Sequence, residues 1–237
     1  MSALRNAVSA SSFATGLLER CTYPTGGTLH CAVSGGADSL TLLLLASRTQ
    51  QPVVAWHVDH GIRHDSAEDF ALVQQVAEAL GADVELRNVR VEPGPNLEAR
   101  AREARFAVLP PDVLTGHTAD DQAETVLINL LRGSGTAGLA GMRRDHHPLL
   151  RIRRSETHAL CAEVGVQPLH DPMNDDDRYQ RVRLRNEVIP LLREIAQRDV
   201  VDLISRQAEM LRDDNDLLDE LAAMIDVTDA RALADAP

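Results

Sequence analysis

The amino-acid sequence predicts an α/β fold: a parallel β-sheet with helices on both faces, followed by a C-terminal helical extension. Two observations support this fold class. Short apolar runs alternate with segments of helical periodicity between residues 29 and 131, as strand–helix–strand units require. The runs are also nearly continuous in apolar residues, which is typical of parallel strands buried on both faces.

The first strand is predicted at residues 31–33, and two adjacent glycines separate it from a leucine-rich helix that must be buried. Before this strand, the sequence predicts only a short helix near residues 13–20. The other strands are predicted at 52–58, 84–89 and 113–116. The intervening helices are predicted at 65–80, at 96–108 with Asn96 as the cap, and at 119–131.

The glycine-rich residues 133–141 predict a mobile loop rather than a regular element. Helices are predicted again at 155–164, from residue 180, and at 200–224. Apolar residues of the last helix alternate at spacings of four and three, which indicates a surface that needs a partner, such as a second copy in a homodimer. We divide the chain into a catalytic domain, residues 1–195, and a helical extension or start of a further domain, residues 196–237.

The composition excludes several classes of protein. Cys21, Cys31 and Cys161 lie far apart and form no C-x-x-C pair, so zinc ribbons and iron–sulfur sites lack ligands. The N-terminal segment has no continuous apolar core, which argues against a signal peptide, and the leucine run after Ser39 is too short to span a bilayer. We therefore expect a cytoplasmic protein without a membrane partner.

All 24 basic residues are arginines, and the net charge of the chain is −12. The charge is unevenly distributed, because residues 130–185 contain ten arginines against seven acidic residues, whereas both flanking segments are acidic. A basic block inside an acidic chain suits local recognition of a phosphate-bearing partner. A solvated surface of mixed charge explains the same pattern equally well.

Residues 34–39, which we call the phosphate loop, read S-G-G-A-D-S and join the first strand to the leucine-rich helix. Gly35 and Gly36 lack a Cβ, so backbone N–H groups there can approach an anion closely. The helix that follows adds unpaired N–H groups and a positive dipole end. A Walker loop is excluded because the chain has no lysine. The alternative is a plain strand–helix turn in which Asp38 and Ser39 only start the helix.

Residues 115–125, T-G-H-T-A-D-D-Q-A-E-T, join the fourth predicted strand to its helix. His117, Asp121 and Glu124 lie four and three residues apart, so we expect them on one side of the first helical turn, beside the phosphate loop. Carboxylates in this position can hold Mg²⁺ or accept a proton from an incoming amine. The alternative is that acidic residues here only satisfy the N–H groups of a helix start.

Two further segments carry candidate ligands. Asp59 and His60 end the second strand, where they are placed either to contact a nucleotide or to form a simple turn. On the predicted helix 96–108, Glu98 and Arg102 form an i,i+4 pair. The Arg102 guanidinium has the same geometry for binding a carboxylate or a phosphate.

The phosphate loop resembles that of the N-type ATP pyrophosphatases, the PP-loop family, whose members adenylate a carbonyl oxygen and expel pyrophosphate. Longer strings narrow the resemblance to the tRNA(Ile)-lysidine synthetases, over about residues 29–192. His147 and Val182 depart from that family's usual pattern, which has Arg and Asn at these positions. The strings are H-V-D-H-G-I-R (57–63), N-L-E-A-R-A-R (96–102), T-G-H-T-A-D-D-Q-A-E-T-V-L-I-N-L-L-R-G-S-G (115–135), H-P-L-L-R (147–151) and D-P-M-N (171–174).

This resemblance implies a Rossmann-like fold of the adenine nucleotide alpha hydrolase, PP-loop type. It also implies an enzyme, a ligase that forms a carbon–nitrogen bond with ATP and Mg²⁺. The substrates would be L-lysine and tRNA(Ile) with a CAU anticodon; carbon 2 of the wobble cytidine is adenylated, and the lysine ε-amine then displaces AMP. The alternatives are another PP-loop tRNA-modifying enzyme, such as a cytidine thiolase, and a non-catalytic ATP-binding module.

The resemblance also implies the roles of single residues. Asp38 would lie near Mg²⁺. Asp121 would bind the lysine amine and remove its proton, since an amine with a pKa of about 10.4 arrives protonated. The residues implied in nucleotide binding are Ser34, Gly35, Gly36, Ala37, Asp38, Ser39, Asp59 and His60, and those implied in catalysis are Arg102, His117, Asp121, Glu124 and Arg154.

Overall fold

The computed structural model describes residues 2–59, 66–89, 97–169 and 178–224. A π-helical turn, Leu184–Val188, joins α9 to α10. The predicted helix cap at Asn96 lies outside the described residues. In chain order the elements are α1 Ala3–Ala10, α2 Ser12–Leu18, β1 Leu29–Ala32, α3 Ala37–Ala46, β2 Val53–Asp59, α4 Ser66–Leu80, β3 Asp83–Asn88, α5 Leu97–Ala107, α6 Ala119–Leu131, α7 Thr136–Leu139, α8 Arg154–Glu163, α9 Gln180–Arg183, α10 Ile189–Ala196 and α11 Val200–Ala223.

The three strands form a parallel sheet in the order β1-β2-β3, so the predicted parallel sheet with helices is confirmed. The fourth strand, predicted at 113–116, is wrong in extent. It is reduced to one parallel bridge between Leu114 and Cys31 on the free edge of β1. The Leu114 N–H donates to the His30 carbonyl at 2.7 Å, but the next N–H, that of Thr115, turns away to the His146 carbonyl at 2.9 Å. The ladder therefore ends after one residue.

β1 has β2 on one side and the segment around Leu114 on the other. The two loops that leave the carboxyl ends of β1 and of this segment start from neighbouring positions at the same edge. In parallel α/β sheets, ligands bind where neighbouring strands lead away in opposite directions. The phosphate loop and residues 115–118 occupy this position.

α3 is the centre of the hydrophobic core. Leu40 and residues 42–45 are fully buried, so this helix is apolar on every side rather than on one face. It packs against β1, β2, α2, α4 and α8. Because α3 is enclosed by its neighbours, its N-terminus, at Ala37, is held in a fixed position at the edge of the sheet.

The chain divides into two compact units. The first consists of residues 1–121 and 143–177 and contains the sheet, α1–α5, the first three residues of α6, and α8. The second consists of residues 122–142 and 178–237 and contains the rest of α6 and the remaining helices. The functional division that the sequence predicts at residue 195 stays a prediction.

Two other predictions need correction. Residues 133–141 are not only a loop, because Thr136–Leu139 forms the short helix α7. The buried Gln122 amide accepts from the Met142 N–H at 2.8 Å and donates to its carbonyl at 3.2 Å, which ties down the end of the stretch. The helix predicted near residues 13–20 is α2. The helix that precedes it, α1, was not predicted. The Ser11 side chain caps α2 by accepting from the Ala14 N–H.

In the described part of the chain, no helix combines the length and the apolar composition that a bilayer crossing requires.

Candidate active site

The phosphate loop has the conformation that anion binding by backbone amides requires. Gly35 has φ +91°, a left-handed conformation that favours glycine. Gly36 is the N-cap residue of α3, and no side chain caps the helix there. The Ser39 hydroxyl accepts from the Ser34 N–H at 3.1 Å and donates to the Gly36 carbonyl at 2.9 Å, which holds the loop closed on itself. Ala37 is the buried first residue of the helix.

Gly116 lets the segment after Leu114 approach the start of α3. A Cβ on Gly116 would lie 2.7 Å from the Asp38 carbonyl oxygen and 2.9 Å from the Ser39 nitrogen, both backbone atoms. Any side chain at this position would force the two backbones apart. Gly116 therefore sets the distance between the phosphate loop and the N-terminus of α6.

Arg154, the first residue of α8, links the carboxylates of the two loops. Its Nη2 donates to Asp121 Oδ1 at 2.7 Å, and its Nε donates to Asp38 Oδ2 at 3.4 Å. Asp38 Oδ1 also accepts from the Thr157 hydroxyl. These side chains are largely shielded from solvent: 22% of Arg154, 27% of Asp38 and 12% of Asp121 is exposed. Three predicted site residues therefore meet at one point.

The two carboxylates differ in protonation behaviour. Burial raises the pKa of Asp38 above its usual value, and the charge of Asp121 adds to this, although the Thr157 hydroxyl and Arg154 oppose it. Burial also acts to raise the pKa of Asp121, but the charges of Arg154 and His117 and the two bonds from Thr118 outweigh it, so the pKa is lowered. Both Thr118 donors, its N–H and its hydroxyl, lie 2.8 Å from Asp121 Oδ2.

A second ion pair fixes the N-terminus of α8 against that of α6. Asp120 accepts from Arg153 Nε at 3.1 Å, from Arg153 Nη2 at 3.0 Å and from the Arg154 N–H at 2.8 Å. Sequence reasoning did not assign this pair or Thr157. A signal was present, since two arginines in succession at a helix start oppose the helix dipole and indicate acidic partners nearby.

His117 belongs to a cluster with Thr115 and His147. The Thr115 hydroxyl lies 2.6 Å from Nδ1 of His117 and 2.6 Å from Nδ1 of His147. The two imidazole rings are edge to face, with centroids 4.8 Å apart. His147 was noted in the sequence only as a departure from a family pattern, and nothing in the sequence alone placed it beside His117.

The other predicted residues make contacts of their own or are not described. In the second unit, the Glu124 carboxylate is fully buried and accepts from Arg185 Nε at 2.8 Å and Nη2 at 3.3 Å. Asp59 ends β2, where its carbonyl accepts from the Val89 N–H at 2.8 Å. His60 and the side chain of Arg102 are outside the described residues. The described residues contain no group of three or more His, Cys, Asp or Glu side chains arranged to hold a metal.

Comparison with known proteins identifies the family. A family model described as PP-loop domain matches residues 10–192. A tRNA(Ile)-lysidine synthase of Mycolicibacterium paratuberculosis is 46% identical over 229 residues, covering 92% of this chain and 69% of the relative. The synthase of Mycobacterium leprae is 43% identical, covering 89% and 71% respectively, and that of Mycobacterium tuberculosis H37Rv is 44% identical, covering 81% and 62%. This chain thus spans 62–71% of the length of these three relatives.

A solved structure is similar in fold. The U34-tRNA thiolase NcsA from Methanococcus maripaludis, with its [4Fe-4S] cluster, superposes with a TM-score of 0.66 over 88% of this chain and 79% of that chain, at 17% identity. At this identity the similarity concerns the fold alone. The family model and the matched relatives lead to one conclusion: this chain belongs to the tRNA(Ile)-lysidine synthase family of PP-loop proteins.

Proposed function

We propose that this chain catalyses lysidine formation. The O2 oxygen of the wobble cytidine in tRNA(Ile), within its CAU anticodon, attacks the α-phosphate of ATP and pyrophosphate leaves. The ε-amine of free L-lysine then attacks carbon 2 and AMP leaves, which forms the carbon–nitrogen bond. The observation that carries this proposal is Arg154, which joins Asp38 at the phosphate loop to Asp121 at the start of α6. Anion-binding amides and cation-binding carboxylates therefore lie side by side.

The phosphate loop is assigned to ATP. Gly36 leaves the first N–H groups of α3 without a side-chain cap, so they are available to phosphate oxygens. No lysine side chain takes part, since the chain has none. Ser34, Gly35, Ala37 and Ser39 shape this loop, and Asp59 and His60 are assigned to the nucleotide at the neighbouring strand end.

Asp38 is the residue that would hold Mg²⁺. A magnesium ion in such enzymes needs only one or two carboxylates, because substrate phosphates and water complete its shell. The chemistry of the Asp38 oxygens fits, although they contact Thr157 and Arg154 here and these contacts must loosen for an ion to bind. When bound, the ion neutralises charge on the phosphates of ATP.

Asp121 is assigned to the lysine amine. Its lowered pKa keeps it ionised, so it binds an ammonium group well. The same lowered pKa makes it a weak proton acceptor, so binding is the better supported of its two predicted roles. His117 lies close enough that its protonated form favours the ionised Asp121, and its neutral form is the better proton acceptor by residue type. Arg154 and Arg102 are assigned to the phosphates at the same centre.

The tRNA is assigned to the basic block of residues 130–185, in which Arg181 and Arg183 lie on α9. A cytoplasmic location follows from the substrate. A homodimer is also part of the proposal, because α11 exposes Leu217, Leu218 and Met224. Sedimentation equilibrium of the purified chain tests this last point, and a monomer at micromolar concentration would refute it.

A thiolase activity is less well supported. Burial raises the pKa of Cys21 and of Cys31 to about 12 and also raises that of Cys161, so none of the three thiols is readily ionised. Sulfur transfer and iron–sulfur ligation both need thiolates. The chain therefore lacks the reactive cysteines that this chemistry requires.

The decisive experiment is the incorporation of radiolabelled lysine into transcript tRNA(Ile), with ATP and Mg²⁺ present. We expect one AMP released for each lysine incorporated, and no incorporation when ATP is omitted or when the wobble cytidine is replaced by uridine. The non-catalytic module predicts ATP binding without AMP release. If the correctly folded protein incorporates no lysine into tRNA(Ile) with its wobble cytidine intact, the proposal is refuted.

A further inference from the structure

The short segment that follows α8 returns to the phosphate loop. α8 ends at Glu163, and Val166 then packs in the hydrophobic core, where its N–H donates to the Cys161 carbonyl at 2.9 Å. Pro168 comes two residues later, and its ring fixes one of the backbone angles of the connection. Leu169 therefore reaches the phosphate loop on a short, stiff segment that is anchored in the core at its other end.

Leu169 contacts the phosphate loop at Gly35, and both residues belong to the first unit. The Leu169 N–H donates to the Gly35 carbonyl at 2.9 Å. The side chain lies over Gly35, since a Cβ built there would meet Leu169 Cδ1 and lie 3.2 Å from its Cγ. A leucine side chain can rotate away, whereas the hydrogen bond joins the two backbones directly. The N–H is therefore the group that holds the loop.

This hydrogen bond fixes the direction of one amide of the phosphate loop. In a planar trans peptide, the C=O and the N–H point in opposite directions. Because the Gly35 carbonyl is held by Leu169, the Gly36 N–H of the same peptide points away from Leu169. Gly36 is the N-cap residue of α3, so this N–H lies beside the first N–H groups of the helix, which no side chain caps.

The two glycines leave this peptide free to turn over. Gly36 has φ −73°, which any residue adopts, and turning the peptide over carries this angle into the positive range that favours glycine. The reversed peptide would present the Gly35 carbonyl oxygen, which repels phosphates, in place of the Gly36 N–H. Ser39 does not prevent this, because it binds the Ser34 N–H and the Gly36 carbonyl, and both of these groups belong to other peptides.

We propose that the Leu169 N–H holds the Gly35–Gly36 peptide in the orientation that binds the phosphates of ATP. This inference deepens the proposed function and rests on its assignment of the phosphate loop to ATP. Leu169 acts through the loop rather than on ATP, so it is a positioning residue.

The test removes this one hydrogen. Leu169 is replaced in the full chain by leucic acid, its α-hydroxy analogue, through nonsense suppression, so that an ester oxygen takes the place of the N–H and the side chain stays. The matched control is the same ester at Val166, whose N–H also donates at 2.9 Å, but to the Cys161 carbonyl in the core. The affinity for ATP is measured by isothermal titration calorimetry with Mg²⁺ and without tRNA, and adenylation is measured as pyrophosphate release.

We expect the ester at residue 169 to raise the Kd of ATP about three- to tenfold, because a hydrogen bond of ordinary strength no longer favours the binding orientation of the loop. The KM for ATP in adenylation should rise by a similar factor. Lysine transfer from pre-adenylated tRNA should keep its normal rate, since that step does not use the pyrophosphate group. The ester at residue 166 should lower the melting temperature and leave the affinity for ATP unchanged. Leu169→Ala, which keeps the N–H, should bind ATP with normal affinity.

Hydrogen–deuterium exchange of the unaltered protein is an independent measurement, which decides the question even if the ester at residue 169 prevents folding. Saturating ATP should slow the exchange of the Leu169 N–H, because the bound phosphates favour the orientation in which this N–H is hydrogen-bonded. The exchange of the Val166 N–H should slow less. Equal effects of ATP on the two amides would contradict the proposal.

Three results with the variants would overturn the positioning role: an unchanged affinity for ATP with the ester at residue 169, an equal loss of affinity with the ester at residue 166, or an equal loss in Leu169→Ala. Failure of the proposed function looks different, because the unaltered protein would then bind ATP without incorporating lysine.

Discussion

Asp121→Asn removes one charge from the centre of the site without changing its shape. In the structure, the Asp121 carboxylate acts only as an acceptor: Oδ1 accepts from Arg154 Nη2, and Oδ2 accepts from the N–H and the hydroxyl of Thr118. An asparagine must turn its NH₂ towards one of these two sets, so at least one donor faces another donor. Losing a hydrogen bond to a charged group costs about 1.5–3 kcal/mol, and we expect the free energy of unfolding to fall by about that amount.

Asp120→Asn is a matched control. Asp120 is the neighbouring residue, and it too accepts three hydrogen bonds, two from Arg153 and one from the Arg154 N–H. The same argument gives a similar loss of stability, about 1.5–3 kcal/mol. The side chain that Asp120 pairs with is that of Arg153, and its contact with Arg154 is to the backbone N–H, so its substitution should leave lysine transfer within a few-fold of normal.

The pH dependence of both effects has a definite sign. Burial acts to raise the pKa of each carboxyl, but ion pairs and hydrogen bonds outweigh it, so both values are lowered in the folded protein. A lowered pKa contributes stability that is fully present above the unfolded value of about 3.9 and is lost as the pH falls through the folded value. Urea unfolding should therefore show the full loss at pH 7 and a smaller loss below about pH 4.

Comparing the activity of the two variants distinguishes the loss of the ammonium-binding carboxylate from a general loss of stability. We expect Asp121→Asn to reduce lysine transfer at least a hundredfold while the variant still binds ATP, because the ammonium-binding carboxylate is gone. Transfer by Asp121→Asn that matches transfer by Asp120→Asn would refute the role of Asp121. Equal stability of Asp121→Asn and the unaltered protein at pH 7 would refute the hydrogen-bond argument.

Two further predictions concern stability. Glu124→Gln should lower the free energy of unfolding in urea by about 3 kcal/mol, because it breaks a buried ion pair and leaves Arg185 without its carboxylate. The control is Glu187→Gln, at an exposed ion pair, which should cause no measurable change. Equal urea midpoints for the two variants would contradict this prediction. Gly116→Ala should cost about 1–3 kcal/mol in thermal unfolding and weaken ATP binding, because its Cβ would meet backbone atoms at the start of α3. Gly135→Ala is its control, with open space around the added Cβ, and comparable melting temperatures would show that the close approach is not tight.

Much of the fold could be predicted because local patterns and tertiary packing agree. The helix predicted at 119–131 matches α6, Ala119–Leu131, since its start signals and its apolar spacing both belong to one element. The fourth strand could not be predicted in extent. Residues 113–116 have a strand-like composition, but the Thr115 N–H finds a partner in the His146 carbonyl, and this choice depends on a segment 31 residues away.

The candidate site, too, could be predicted only where local sequence patterns determine the structure. Asp38 and Asp121 could be placed near each other, since each begins a helix after a neighbouring strand position. Thr157 could not be predicted, and Arg154 was implied only by the family resemblance, because both reach Asp38 across more than 110 residues of sequence. The close pairing of His117 with His147 likewise arises only when the segment before α6 and the segment before α8 are packed together.

The side-chain contacts with the Ala140 and Met142 carbonyls, at the end of the glycine-rich stretch, limit where this chain can tolerate insertions. Gln122 and Arg212 both bind the Met142 carbonyl, and Arg212 also donates to the Ala140 carbonyl. Insertions at residues 133–135 lengthen a connection that precedes these contacts, whereas insertions at 140–142 would pull two carbonyls out of register with both side chains.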